Sequence, residues 1–181
     1  MQLLVCVTGG IAAYKACEIC SLAIKAGHSV RVAMTNNAKR FVGPLTFEGL
    51  TGHAVMTESF SDAMAHIHWA KWADVVLVAP LTANSLSKLA LGFADDAVST
   101  LTLAVPVTTP IIVAPAMNTH MWDNPVVQRN LKWLVDLERF TVIEPVNKRL
   151  ACGDHGVGAL AQPEALLTAC QEALVATSSS P

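Results

Sequence analysis

Apolar residues recur along this chain in short unbroken runs, separated by longer stretches of helical period. Leu3–Val7 is an apolar run, followed by Thr8-Gly9-Gly10 and then by a helical pattern that carries to about Lys25, where Gly27 stops it. His28–Met34 alternates as a strand does, so this segment reads as a βαβ unit with a right-handed crossover. Thr35-Asn36-Asn37 closes the second strand and is predicted to open a helix through Phe41. Val75–Ala79 is a buried strand ended by Pro80, and a capped helix starts near Thr82–Asn84 and runs through Leu89. Thr109–Ala114 is a further strand ended by Pro115. Val126–Leu137 reads as an amphipathic helix, Phe140–Glu144 as a strand and Pro163–Val175 as a closing helix. Residues 75–87 and 101–114 are almost free of charge, which fits central strands buried on both faces. The tail from Ala176, ATSSSP, is predicted to be disordered.

Strands alternating with helices predict an open, doubly wound parallel sheet in a single α/β domain, and 181 residues are enough for a substantial core. Only 14% of the residues are charged, so part of the surface is expected to be covered by other subunits. The net charge of −2, with no Lys/Arg block, points to no nucleic-acid partner. MQLLVCV lacks a basic leader and is too short to span a bilayer, so neither a signal peptide nor a membrane segment is expected. The five cysteines are irregularly spaced. Cys17 and Cys20 form a CxxC inside a helix without a second such pair, which predicts core thiols and a reducing cytoplasm.

In a sheet of this kind, ligands bind at the carboxyl ends of the strands. Here those ends carry Thr8-Gly9-Gly10, Thr35-Asn36-Asn37, Pro80-Leu81-Thr82-Ala83-Asn84-Ser85 and Pro115-Ala116-Met117-Asn118. Small, hydroxyl-bearing and amide-bearing residues at helix starts suit a phosphate and a flat ring system, as in a mononucleotide. The chain has no GxSxG elbow, P-loop or HExxH, and its first turn departs from GxGxxG.

Four segments narrow the choice. TGGIAAYKA, HIHWAKWADVVLVAPLTANSLSKLALGFADD, PAMNTHMW and LACGDHGVGALA resemble, in order and spacing, the flavin-dependent cysteine decarboxylases, from Leu3 to about Pro163. The resemblance is nearest to the branch that acts on 4'-phosphopantothenoylcysteine in coenzyme A biosynthesis. It implies a Rossmann-like, flavodoxin-like fold, non-covalent FMN, and a homotrimer with active sites at subunit interfaces, which in some members assembles into a homododecamer. The FMN contacts it implies are Gly9, Gly10, Ile11, Thr35, Asn37, Thr82, Ala83, Asn84, Ser85 and Ala116. Gly10 stands where a serine is common, and TANS stands for the usual SANT.

The same resemblance makes His66 the acid/base, Asn118 the holder of the substrate carboxylate and Cys152 the proton donor on a movable flap. Gly153, Gly156 and Gly158 are expected to give that flap conformational freedom. In the family reaction, oxidation of the cysteine thiol carbon gives a thioaldehyde, loss of CO₂ an enethiol, and reduction the saturated thiol. His68 receives no role. Taken singly, His66 reads as a surface or helix-cap histidine, Asn118 as a turn or N-cap residue and Cys152 equally as a packing or a reactive thiol; their joint spacing favours chemistry. Trp69 and Trp72 read as core or interface anchors, Asp95 and Asp96 as a helix-terminal feature, and Met117 and Met121 as packing. Lys15, Lys148 and Arg149 are the cationic candidates for the substrate phosphate, with no spacing to choose among them. Two other readings stay open: a peptidyl-cysteine decarboxylase and a non-catalytic flavin-binding regulatory subunit.

Overall fold

The computed structural model describes residues 1–59, 63–149, 153 and 155–178, with only the backbone of Ser178. Five parallel strands form the central sheet: β1 (Gln2–Val7), β2 (Ser29–Met34), β3 (Val75–Leu81), β4 (Ile111–Pro115) and β5 (Phe140–Val142). Their order is β2-β1-β3-β4-β5, the flavodoxin-like arrangement, with its reversal of direction between β1 and β3. A two-stranded antiparallel hairpin, β6 (Val146–Arg149) with β7 (His155–Ala159), stands apart from the sheet.

The helices cover both faces. Alternation along β1 sends Leu3, Val5 and Val7 to one core, shared with α1 (Tyr14–Lys25), α2 (Pro44–Thr51) and α8 (Pro163–Ser178). Leu4 and Cys6 go to the other core, shared with α3 (Ala65–Trp72), α4 (Ala83–Leu91), α5 (Ala97–Ala104) and α7 (Pro125–Asp136). A short helix, α6 (Thr119–Trp122), links β4 to α7. Every residue of β3 and β4 is buried, which is why both read as continuous apolar runs. Each fully buried Leu, Val or Ile on these strands contributes about 1.5–3 kcal/mol.

Three local expectations need correction. Residues 101–114 are not all strand: Ala97–Ala104 is α5, and β4 begins only at Ile111. In this helix the polar Ser99, Thr100 and Thr102 are buried while the apolar Leu103 is exposed, so polarity does not mark its solvent face and no helical period could be read. Past Asn37 the chain makes a single 3-10 turn over Ala38–Arg40 rather than a helix through Phe41. Nor does Pro80 end β3, which runs on to Leu81. The ladder to β4 shifts register between Val78 and Leu81, and such an irregularity accommodates a residue without an N–H.

Candidate active site

The carboxyl ends of β1 and β3 flank the point where strand order reverses, and a cleft of about 830 Å³ opens there. After β1 the chain turns at Gly9 and Gly10 into a 3-10 turn, Ile11–Ala13, that leads straight into α1. Gly9 is required by packing: a Cβ there would run into the side chain and backbone of Asn37. This close approach brings the first and second strand ends together. Thr8 ties the first to the third, its hydroxyl donating to the Pro80 carbonyl (2.6 Å) and accepting from the Thr82 N–H (3.1 Å). Thr8 is buried beneath these cleft residues; the sequence placed it in the first strand-end segment but gave it no role.

Thr82 caps α4, its hydroxyl accepting from the Ser85 N–H, and the Thr82 and Ser85 hydroxyls lie 3.3 Å apart. Two hydroxyls at a helix start, facing a turn with no side chains at Gly9 and Gly10, form a cradle suited to a phosphate. At Gly10 a Cβ would come within 3.3 Å of Thr82 Cγ2, so a serine there would crowd the threonine of TANS. Gly9, Gly10, Ile11, Thr35, Asn37, Thr82, Ala83, Asn84, Ser85 and Ala116 all line this cleft, so the residues expected to hold FMN are brought together and their chemistry fits it.

Asn118 lines the same cleft. It caps α6, its Oδ1 accepting from the His120 N–H at 2.8 Å, which fixes the donor end of the amide. The PAMN segment is held from the other side by β7, through the Met117 N–H to the Gly158 carbonyl at 2.9 Å. A Cβ at Gly158 would collide with the Met117 carbonyl, and one at Gly156 with the Thr119 hydroxyl. These two glycines therefore serve close packing of the hairpin on the PAMN segment rather than the freedom of a flap. Gly153 does adopt a left-handed conformation (φ 95°). Cys152 lies outside the described residues.

His66 sits in the first turn of α3, half-buried, and is not among the residues lining the cleft. Trp69 and Trp72 of the same helix lie over the Arg31 guanidinium, at 5.3 and 4.5 Å, and so anchor α3 to β2. Asp96 caps α5 in a reciprocal capping box with Ser99. Asp95 and Asp96 both bind Lys88, at 2.7 Å each. Burial alone would lower the Lys88 ammonium, but these two carboxylates raise it above its ordinary value, and Lys88 in turn lowers the Asp95 carboxyl. All three line the cleft, and Lys88 had no place in the sequence reading. Among the described residues no group of three or more His, Cys, Asp or Glu is arranged to hold a metal.

A family profile described as Flavoprotein matches residues 1–175. The chain is 45% identical, over 99% of its length, to the coenzyme A biosynthesis bifunctional protein CoaBC of Bacillus subtilis, but it spans only 45% of that protein. With the probable phosphopantothenoylcysteine decarboxylase of Streptococcus mutans it shares 42% identity, covering 96% of this chain and 98% of the relative. Among solved structures, the FMN-dependent cysteine decarboxylase SpaF superposes with a TM-score of 0.83 at 32% identity, covering 99% of this chain and 98% of SpaF.

Proposed function

The chain belongs to the flavoprotein family, and from that membership we propose that it is an FMN-dependent decarboxylase converting 4'-phosphopantothenoylcysteine to 4'-phosphopantetheine for coenzyme A synthesis. One observation carries this reading: the three strand-end segments expected to hold FMN and the PAMN segment with Asn118 converge on a single cleft. The relative from Streptococcus mutans, similar along almost its whole length, supports the choice of substrate.

FMN, when bound, supplies the two-electron oxidation that turns the thiol carbon of the substrate into an electron sink, and the reduction that later restores it. Gly9, Gly10 and Ile11, with Thr35, Asn37, Thr82–Ser85 and Ala116, hold it. Asn118 orients the substrate carboxylate with a neutral amide donor. A cation at that position would stabilise the carboxylate more than the transition state that loses it. His66 takes the thiol proton, and Cys152 donates a proton to carbon in the closing reduction. The oxidation and the reduction cancel, so the net change is loss of CO₂ and uptake of one proton.

We assign the working unit to a homotrimer, capable of forming a homododecamer, in which His66 of one subunit serves the cleft of the next. The absence of His66 from its own chain's cleft lining supports this arrangement. The assigned compartment is the cytoplasm, in keeping with the free thiols Cys6, Cys17, Cys20 and Cys170; no helix among the described residues is long and apolar enough to cross a membrane.

Mass spectrometry of products tests the reading. Incubated with 4'-phosphopantothenoylcysteine, the purified flavoprotein is expected to release CO₂ and leave the saturated thiol. Loss of CO₂ plus two hydrogens, from a peptide ending in cysteine and not from the small substrate, would make it a peptide-modifying enzyme instead. Flavin binding with turnover of neither would favour the regulatory reading.

A further inference from the structure

Lys88 lies one helical turn beyond Asn84 and Ser85 on α4, so it shares their face of the helix and lines the cleft with them. Its ammonium is bound at 2.7 Å by both Asp95 and Asp96, from the turn that opens α5. Although burial works against its charge, the two carboxylates hold that ammonium above its ordinary value, so it stays protonated. Asp96 is fixed in turn, its other oxygen accepting from the Ser99 N–H at 2.9 Å. Capping α5 needs Asp96 alone; Asp95 adds a second carboxylate to the same ammonium without a place in the capping box. Among the described residues these are the two carboxylates that line the cleft, and with one cation between them they leave its wall an excess of negative charge. The excess is felt beyond the cluster: burial first, and the Asp96 carboxylate second, push up the Cys6 thiol of β1.

We propose that Lys88 and Asp95, with Asp96 as their anchor, set the reduction potential of the FMN held in this cleft. This rests on the FMN assignment of the reading above and adds to it the groups that place the potential. Two-electron reduction leaves a flavin more negative near neutral pH, so a fixed positive charge in the cleft favours the reduced form and a fixed negative charge the oxidised one. At the effective dielectric near a protein surface, a unit charge moves such an equilibrium more than tenfold out to roughly 10 Å. The proposed reaction uses the cofactor in both directions, first as oxidant of the substrate and then as reductant of what remains after CO₂ is lost. A lone ammonium on the wall would hold the reduced form too firmly for the second use, and bare carboxylates would oppose the first. An ammonium shared between two carboxylates, one of them exposed, keeps the potential between these extremes.

Lys88→Gln, Asp95→Asn and Lys88→Arg, each purified as holoprotein, test the proposal. Flavin content is measured, and the midpoint potential of the bound FMN is read by anaerobic equilibration with a reference dye, above neutral pH so that the carboxylates stay ionised. Lys88→Gln is expected to lower the potential and Asp95→Asn to raise it. Each shift should reach about 30 mV or more, equivalent to a tenfold change in the ratio of affinities for reduced and oxidised flavin. Lys88→Arg, which keeps the charge, is expected to stay at the wild-type value. Shifts of the same sign in Lys88→Gln and Asp95→Asn would reduce the cluster to a structural tie, and unmoved potentials would show that its charge does not reach the flavin. Either result overturns the proposal, as does an arginine variant that behaves as the glutamine one does. If Lys88→Gln retains no FMN, Asp95→Asn decides alone at its exposed position, by the presence or absence of the upward shift. No substrate enters these measurements. Protein whose potentials move as expected, yet which decarboxylates no cysteine compound, loses the decarboxylase reading and keeps this inference; active protein with unmoved potentials loses the inference alone.

Discussion

At Gly158 the backbone takes φ 151°, and a Cβ would meet the carbonyl of Met117, the residue whose N–H it binds. Gly158→Ala is expected to push β7 off the PAMN segment, lowering stability by about 1–3 kcal/mol and weakening flavin retention. Equilibrium denaturation and flavin titration check both effects, and unchanged values would show that the strand yields without cost. The sequence made this glycine visible but not its job: a glycine in a polar loop and one pressed against a neighbouring backbone look alike until the neighbour is known. The buried thiols give a second prediction. Burial raises Cys6, Cys20 and Cys170 above the ordinary 9.0, Cys170 to about 12. Because the folded values lie above the unfolded one, this contribution to stability is fully present below pH 9. It is lost as pH rises above that, where the unfolded chain ionises and the folded chain does not. Each thiol contributes roughly 1.4 kcal/mol per pH unit to that fall. Melting curves at rising alkaline pH should show the decline, and Cys170→Ala should make it shallower; an identical slope in the variant would refute this account.

Elements divide by how their sequence meets their surroundings. The strands were legible because β3 and β4 are buried on every residue, and α7 because it is amphipathic, with Asn124 as its cap. Helix α5 was not, since its polar Ser99, Thr100 and Thr102 are buried and its exposed Leu103 is apolar, and the β6–β7 hairpin was not, since β6 is mostly exposed and β7 carries two glycines. The site followed the same division. Its cofactor-side residues sit at strand ends that sequence located, whereas Lys88, with its two aspartates, depends on the placement of the unrecognised α5. The turn after α5 is held by one side chain that pattern could not reveal. Arg139 donates to the carbonyls of Val105 (3.0 Å), Pro106 (2.7 Å), Val107 (2.8 Å) and Thr109 (2.6 Å). Arg139→Ala is expected to cost about 1.5–3 kcal/mol, because carbonyls at the C-terminal end of α5 and in the loop beyond lose a charged donor. Arg139→Lys should recover only part of this, since an ammonium cannot reach four carbonyls with one fork. Thermal unfolding decides, and full rescue by lysine would mean that charge rather than geometry holds the turn.

On the scale of the whole molecule, the cleft of one chain is lined by the residues proposed to hold FMN and by Asn118 but not by His66. The surface meanwhile leaves Leu45, Phe93, Leu103, Val107 and Trp133 exposed. Apolar side chains scattered singly need no partner, so exposure alone does not argue for assembly; a site lacking its proposed acid/base does. If His66 acts in the cleft of a neighbouring subunit, the two functions can be supplied by different chains, and two dead variants should complement each other. His66→Asn and Asn118→Ala, each expected to keep flavin and lose turnover, would be co-expressed with different tags and purified as mixed oligomers. A productive site then needs its histidine from an Asn118→Ala chain and its asparagine from a His66→Asn chain. With random association of equal amounts, half the chains supply each, so about one quarter of the sites should work. Recovery near a quarter of wild-type decarboxylation places the catalytic site between subunits. No recovery, in mixed oligomers confirmed by both tags, would confine His66 and Asn118 to one chain and remove the intersubunit role of the histidine.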